Sequence, residues 1–511
     1  MPRLDVAVLA ALSLLPVAAI AQEAIDIGSR LELFVDDFLI EEMGGGAELE
    51  LHHPRREEIA FRTDAPWEGN ASTYQSVFFD DGVYRMYYRG GHYLHSGGAA
   101  EELGEHPWVL CYAESDDGIH WRRPELGIVE YDGSSANNII LDEAMVASIG
   151  GDPAHTAVFR DANPDCPEEE RYKIIIVGSE PTGLYYLVSE DGMRFQIGSP
   201  EPIQTDGAFD SQNLAFWDPV REEYREYHRG FRDGVRDIMT ATSPTISSFP
   251  EPRWLAYPGA PAQHLYTNHI QPYYRAPHIF VGFPARYTDR GWLDSLHDLP
   301  GREERLSRSE AAGRFGTAIT DALFMSSRDG VTFHRWSEAF IRPGPRQRES
   351  WTYGDNYPFW GVLEAASPLE DAPNELSLYA SEGYWVGTDT AFRRYSLRID
   401  GFVSVAAPFA GGDIVTKPLV FDGGALAINA ETSGAGGIQV ELQTAGGEPI
   451  PGYSLDDCPE IVCDNLSHIV RWTGNAGDLR ELSGQPVRVR FALRDADLYS
   501  MQFVPFAKPV R

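Results

Sequence analysis

One turn returns three times in this chain and restricts its architecture more than any other feature. The sequence Ser115-Asp-Asp-Gly-Ile-His-Trp121 recurs as Ser189-Glu-Asp-Gly-Met-Arg-Phe195 and as Ser327-Arg-Asp-Gly-Val-Thr-Phe333, each time after a strand-like alternating run. In each copy Asp-Gly makes a hairpin turn and an aromatic residue anchors the next strand. Looser versions follow the same kind of run from Ser243 to Trp254 and at Ile399-Asp400-Gly401-Phe402, which makes five units.

Reading backwards from each turn recovers an apolar strand, a polar turn, a second strand, a longer loop and a third strand. The second strands read Tyr84-Arg-Met-Tyr-Tyr-Arg89, Tyr172-Lys-Ile-Ile-Ile-Val177, Tyr224-Arg-Glu-Tyr-His-Arg229, His278-Ile-Phe-Val-Gly-Phe283 and Glu375-Leu-Ser-Leu-Tyr-Ala380. A recurring unit of this size implies radial repetition. Five four-stranded sheets arranged radially form a propeller whose innermost strands line the axis. A two-sheet sandwich is the alternative that regular turn spacing leaves open.

After Val405 the pattern changes: segments 425–430, 437–443 and 487–493 alternate as half-buried strands. The expectation is an all-β chain with a signal peptide over 1–21, N-terminal strands over 22–60, a five-bladed propeller over 61–405 and a C-terminal β-sandwich over 406–511. Leu31 to Leu51 also reads as strands, which either pack on the sandwich or help to close the ring. No long amphipathic helix is evident.

In the order and architecture of these units the chain resembles the propeller glycosidases. These comprise the arabinanase and xylosidase group, and the invertase and levanase group, whose propeller also carries a C-terminal β-sandwich. The resemblance covers nearly the whole chain after its first residues, and its motifs are loose. The Ser-x-Asp-Gly turns also resemble the Asp boxes of sialidases, which are structural turns on the outside of a propeller. What the resemblance implies is cleavage of glycosidic bonds in an axial pocket.

The first residues place Arg3 before an apolar run from Val6 to Ile20 that closes on Ala19-Ile20-Ala21. This pattern reads as a secretory signal and implies a periplasmic or secreted protein. The run contains Pro16 and is shorter than the roughly 20 residues a spanning helix needs. Of the four cysteines, Cys458 and Cys463 are near enough in sequence to bridge in an oxidising compartment. The chain has 77 acidic and 42 basic residues, a net charge of −35, and so repels nucleic acid and anionic membranes. A polyanionic substrate would require a local basic pocket working against that field.

Glycoside hydrolysis ordinarily uses two carboxyl groups across the scissile bond. In a propeller these come from the starts of innermost strands or from loops between second and third strands on the same face. At strand starts the acids are Glu68, Asp152, Asp210 and Asp355. Asp210, in Phe209-Asp210-Ser211-Gln212-Asn213, is the expected base or nucleophile, with Gln212 and Asn213 beside it. Asp355, in Tyr353-Gly354-Asp355-Asn356-Tyr357, is expected to position or tune, with Asn356 and Tyr357 alongside. Glu382, in Ser381-Glu382-Gly383-Tyr384-Trp385, is the expected general acid, because neighbouring aromatics raise a carboxyl pKa by desolvation. Arg160-Asp161 invites comparison with the Arg-Asp-Pro motif of invertases, but register puts Asp161 at the far end of its inner strand.

Blade four offers Thr267-Asn268-His269 in place of an acid, which suits Asn268 and His269 to sugar hydroxyls or to tuning a carboxylate. Arg89, Arg229, Arg232 and Arg286 recur near second-strand ends and either hold an anion or pair with the axial acids. Tyr74, Tyr93, Tyr357 and Trp385 offer faces for sugar stacking. Two insertions, Gly90–Trp108 with His92 near its start and Thr288–Gly316, should deepen the pocket and favour exo-acting cleavage. The expected function is an exported glycoside hydrolase acting on a polysaccharide-derived oligosaccharide. Its rivals are a glycoside phosphorylase on the same fold and a non-catalytic carbohydrate-binding propeller. No metal-ligand spacing is present; no cofactor is required, and an axial Ca2+ is compatible with the reading. The expected partner is a carbohydrate.

Overall fold

The computed structural model describes residues 24–93, 107–347, 350–474 and 477–506, so the expected signal peptide lies outside the described residues. Five four-stranded antiparallel sheets make the propeller. Blade one orders Ser76–Asp80, Val83–Gly90, Val109–Ser115 and Ile139–Leu141 from the axis outwards, and blade two Asp152–Arg160, Tyr172–Ser179, Thr182–Ser189 and Gln196–Ile197. Blade three is Leu214–Asp218, Glu223–Arg232, Val235–Ser243 and Arg253–Trp254; blade four is Gln271–Tyr273, Ala276–Gly282, Met325–Ser327 and Phe333–Arg335. Blade five begins with Leu363–Ala365, Glu375–Glu382 and Ala391–Leu397, and its outermost strand is Arg55–Arg62.

That outer strand comes from before blade one, so a non-local pairing closes the ring. It also straddles the expected boundary at residue 60. The looser turn at Ile399-Asp400-Gly401-Phe402 therefore does not lead to a fourth strand of its own blade, because that place is taken. The chain passes instead to Val403–Ala407, which pairs with Glu48–Leu51 and with Val487–Val504.

The repeated turn is a hydrogen-bonded unit. Gly118 N–H donates to Ser115 Oγ (2.9 Å), while Ile119 and His120 N–H donate to Asp117 Oδ1 (both 2.8 Å). The same bonds recur around Ser189 and Asp191 and around Ser327 and Asp329. Each turn also receives a donor from the preceding blade. Tyr379 Oη donates to Gly118 O, Arg85 Nη1 to Asp191 O (2.9 Å) and Tyr227 Oη to Gly330 O (2.8 Å). The turns thus fasten neighbouring blades together on the outside of the ring.

Blades pack face to face through clusters such as Tyr87, Leu110, Val158, Ile174 and Leu187, each side chain contributing about 1.5–3 kcal/mol on burial. The C-terminal region is strand-rich. Two long strands, Ala425–Thr444 and Val487–Val504, run antiparallel along most of their length, and the second also pairs with Gly412–Thr416 and Leu419–Phe421. N-terminal strands Ile25–Gly28, Glu32–Leu33, Ile40–Gly44 and Glu48–Leu51 join this sheet system. Leu33, Val35 and Leu51 pack with Tyr273, Ile279, Phe324 and Phe402, which seats this region against blades four and five. All four cysteines are free, so Cys458 and Cys463 are not bridged; the Cys458 thiol instead accepts Val440 N–H (3.4 Å).

The insertion in blade four extends a hairpin, Ala285–Asp289 with Ala318–Ala322, and carries short helices at Asp294–His297, Arg302–Ala311 and Gly313–Thr317. Among the described residues, no helix is long and apolar enough to cross a membrane.

Candidate active site

Residues leading into the innermost strand of every blade meet in one cavity of about 210 Å3. Tyr74 comes from blade one, His155 from blade two, Asp210 from blade three, Tyr266 from blade four, and Tyr353 and Tyr357 from blade five. Tyr384 and Trp385 add the loop after blade five's second strand, and both insertions reach in, through Tyr93 and Trp108 and through Arg314 and Phe315. Aromatic rings make most of this wall. Trp385 stacks on Tyr93 with centroids 4.1 Å apart and meets Phe315 edge-on at 5.0 Å. Two glycines permit this packing. A Cβ on Gly354, whose φ is +89°, would lie 2.0 Å from the Tyr384 ring, and one on Gly91 would lie 2.1 Å from Trp108. Tyr74, Asn356 and Trp385 themselves hold left-handed backbone (φ 62°, 55° and 61°), conformations kept only where surrounding contacts over-determine them.

Among the described residues Asp210 is the one carboxylate in the lining, and its side chain is 71% exposed. His155 Nε2–H donates to Asp210 Oδ1 (3.1 Å) and His155 Nδ1–H donates to Asp152 Oδ2 (2.6 Å). Arg229 Nη2 and Tyr266 Oη each lie 3.5 Å from Asp210 Oδ2. Partial burial pushes the Asp210 carboxyl up, but the His155 hydrogen bond and the charges of His155 and Arg229 outweigh it and hold its pKa below the usual value. Burial would strip the proton from His155, and the two carboxylates outweigh that and raise its pKa above 6.5. The three groups form an acid–imidazolium–acid chain with one end open to the cavity.

The loop that carries Asp210 is locked by its own neighbours. Asn213 Nδ2 donates to Phe209 O (2.9 Å) and to Ser211 O (3.0 Å), and Ser211 Oγ donates to Tyr266 O (2.6 Å). Gln212 Nε2 donates to Tyr74 O (2.9 Å), Gln75 O (3.2 Å) and Thr156 O (3.3 Å), and its Oε1 lies 2.9 Å from His269 Nε2. Gln212, Asn213 and His269 are therefore buried fasteners beneath the cavity rather than parts of its wall. Burial lowers the His269 pKa to about 4, so it is neutral near pH 7. Asn268 Oδ1 accepts Ile270 N–H (3.3 Å) and Asn356 Nδ2 donates to Thr320 O (3.2 Å); both are likewise spent on backbone.

The other expected acids face away. Glu382 accepts from Arg56 Nη2 (2.8 Å) and Arg393 Nε (2.6 Å) with its side chain 7% exposed, so it bridges strands of blade five and does not stand at the cavity as the expected proton donor. Glu68 is bound by Ala65 N–H (3.0 Å), by Tyr88 Oη and by both Arg123 Nε and Nη2 (2.8 Å each). Asp355 accepts backbone N–H groups of Thr352 (3.2 Å), Gly383 (3.0 Å) and Tyr384 (3.3 Å) beneath the Tyr384-Trp385 wall. Burial, with the Glu382 charge adding to it, raises its pKa to about 7. Asp161 pairs with Lys173 Nζ (2.8 Å) and Tyr224 Oη (2.6 Å), at the other end of its strand from Asp152.

Of the arginines, Arg89 and Arg229 belong to the cavity region. Arg89 lies over Tyr74 (5.0 Å) and Trp108 (4.7 Å) and donates to Ala71 O (2.8 Å) and Tyr384 Oη (3.1 Å). Arg232 instead pairs with Asp237, and Arg286 makes a two-pronged pair with Asp321 (2.8 and 2.6 Å). His92 is buried against Gly69, outside the lining. Among the described residues, no group of three or more His, Cys, Asp or Glu side chains is placed to hold a metal ion.

Sequence reasoning missed Tyr266, Tyr353, Tyr384, Trp108, Arg314 and Phe315, and passed over His155 as a strand residue. The strand-start filter applied to aromatics as well as acids would have found Tyr266 and Tyr353. Nothing in the sequence marks Arg314, which a helical insertion delivers.

These features define the class of the molecule: a five-bladed propeller with an aromatic axial pocket holding a single open carboxylate. Solved structures similar to it include an N-acetylgalactosamine deacetylase from F. plautii (11% identity, TM-score 0.39, covering 68% of this chain and 96% of that one). A glycosyl hydrolase from Bacteroides ovatus (13%, 0.38, 70% and 96%) and an endo-arabinase from Bacteroides thetaiotaomicron (9%, 0.35, 67% and 98%) are similar at the same level. Neither the known protein-family models nor the curated proteins match the chain. Similarity this distant assigns no activity, and the fold rests on the sheet order itself.

Proposed function

We propose that the chain is an exported exo-acting glycosidase that admits the terminal sugar of an oligosaccharide to the axial pocket. One observation carries the reading: Asp210, open and held ionised, is the sole carboxylate among the described residues of a wall of aromatic faces. An ionised carboxylate with its pKa held low cannot donate a proton at neutral pH, so Asp210 acts as base or nucleophile at the anomeric carbon. The proton for the leaving oxygen falls to His155, whose charge is sustained by Asp152; to deliver it, the 3.1 Å bond to Asp210 must break and the two groups separate across the glycosidic bond. This pair replaces the two facing carboxyl groups anticipated from sequence. The insertions that wall the pocket favour release of end sugars over internal cutting.

A phosphorylase is the second reading, favoured by the cationic groups Arg89, Arg314 and His155 beside that one carboxylate. Incubation of the enzyme with defined oligosaccharides, with and without inorganic phosphate, distinguishes the two. Terminal monosaccharide released without phosphate, and lost in Asp210→Asn, is the expected result. Sugar phosphate formed only with phosphate would favour the second reading, and unchanged cleavage by Asp210→Asn would overturn both.

A further inference from the structure

Charge at the pocket runs opposite to charge on the rest of the chain. The protein carries 77 acidic and 42 basic residues, yet three lining groups, Arg89, His155 and Arg314, are cationic and one, Asp210, is anionic. Asp210 is already shared between His155 and Arg229, and His155 takes its second carboxylate from Asp152. Among the described residues Arg314 pairs with no carboxylate, and Arg89 feels the charge of Asp152 but makes no ion pair with it. Arg89 spends its donors on Ala71 O, Ala154 O and Tyr384 Oη, all neutral acceptors. Arg314 is half-buried beside the Phe315 ring (4.9 Å), and its Nε is buried without a hydrogen-bond partner. Behind Asp210, Arg229 Nη1 is buried and unpartnered, in a side chain 4% exposed.

Holding positive charge out of water without a counter-charge is costly, and a ligand that brings the missing charge recovers that cost on binding. Arginine also presents a planar fork that fits an oxyanion better than a hydroxyl. A neutral sugar would leave Arg314 uncompensated and Arg89 bonded only to neutral acceptors, whereas a sugar with one negative substituent would pair them and still place its anomeric carbon against Asp210. We infer that the pocket selects a terminal sugar bearing an anionic group, a uronate carboxylate or a sulfate ester, with Arg314 and Arg89 as its counter-charges. The inference rests on the glycosidase reading for which sugar is cleaved, but not for which sugar is bound.

The test is calorimetric titration of the full chain with D-glucuronate, D-galacturonate, galactose 6-sulfate, glucose, galactose and inorganic phosphate, repeated on Arg314→Gln. Anionic sugars should bind at least ~10-fold tighter than their neutral counterparts, equivalent to about 1.4 kcal/mol. Arg314→Gln should abolish that preference. A preference for the uronates or for the sulfated sugar identifies which anion is read. Equal affinity for charged and neutral sugars, or a preference indifferent to Arg314→Gln, overturns the inference, as does tight phosphate binding with no preference among sugars. Selective binding of an anionic sugar without cleavage of any glycoside would sink the glycosidase reading and leave this one standing. Cleavage of neutral and anionic glycosides alike would do the reverse.

Discussion

Blades three and five approach the axis with nearly the same vocabulary, an aspartate in a polar stretch flanked by aromatics, and put it to opposite uses. In blade three the amide of Asn213 and the hydroxyl of Ser211 fasten the loop backbone, so the Asp210 carboxylate is left over and stands in the cavity. In blade five the aspartate is itself the fastener: Asp355 collects three backbone N–H groups and is buried beneath the wall it supports. Glu382, at the end of blade five's second strand, is captured by two arginines. An axial acid is available for chemistry where other side chains hold the loop's carbonyls and the carboxylate itself collects no backbone N–H.

Four variants can break or sharpen that contrast. The largest effect is expected from Asp210→Asn, which should lower kcat by up to ~10⁴-fold, the upper range for removing a general base, with thermal unfolding almost unchanged. Next is Asp355→Asn. The folded carboxyl titrates at about 7 against an ordinary 3.8, so the folded state retains a proton that the unfolded state has lost between those values. Stability from this group therefore falls as pH rises through that window, on the order of 4 kcal/mol in all. Urea denaturation of wild type minus Asp355→Asn across pH 4 to 8 should show that slope, and a flat difference would remove Asp355 from the account. Glu382→Gln leaves two arginines facing a neutral amide and should cost about 3 kcal/mol of stability, with turnover per folded molecule retained. His155→Gln should lower kcat by ~10²-fold. It should also erase the alkaline limb of the pH–rate profile, which in wild type sets in above pH 6.5 as the imidazolium gives up its raised proton.

The repeat made the fold legible because each Ser-x-Asp-Gly turn closes its own hydrogen bonds within a few residues, independent of the rest of the molecule. The strand that closes the ring was not legible: Arg55–Arg62 carries no turn of its own, and its partner Ala391–Leu397 is more than three hundred positions away. Within the pocket, Asp210, Tyr74, Arg89, Tyr357 and Trp385 could be singled out because strand starts and loop ends are set by the blade register. Gln212, Asn213, Asn268, His269 and Asn356, placed near the candidate acids by sequence, are spent on neighbouring protein groups, since composition does not say whether an amide points to a ligand or to a carbonyl. Glu68 and Glu382 each find an opposite charge on a strand or loop that sequence spacing alone does not bring near, while Arg232 and Arg286 pair with acids, Asp237 and Asp321, other than the axial ones.

The most direct test is carboxylate modification with a water-soluble carbodiimide and an amine, read by peptide mapping with and without a glycan that the protein cleaves or binds. Asp210 should be modified in the free protein and shielded by the glycan, while Glu382, Asp355 and Glu68 are untouched in either state. Glycan-protected modification at Glu382 or Asp355, with Asp210 indifferent to glycan, would contradict the assignment of Asp210.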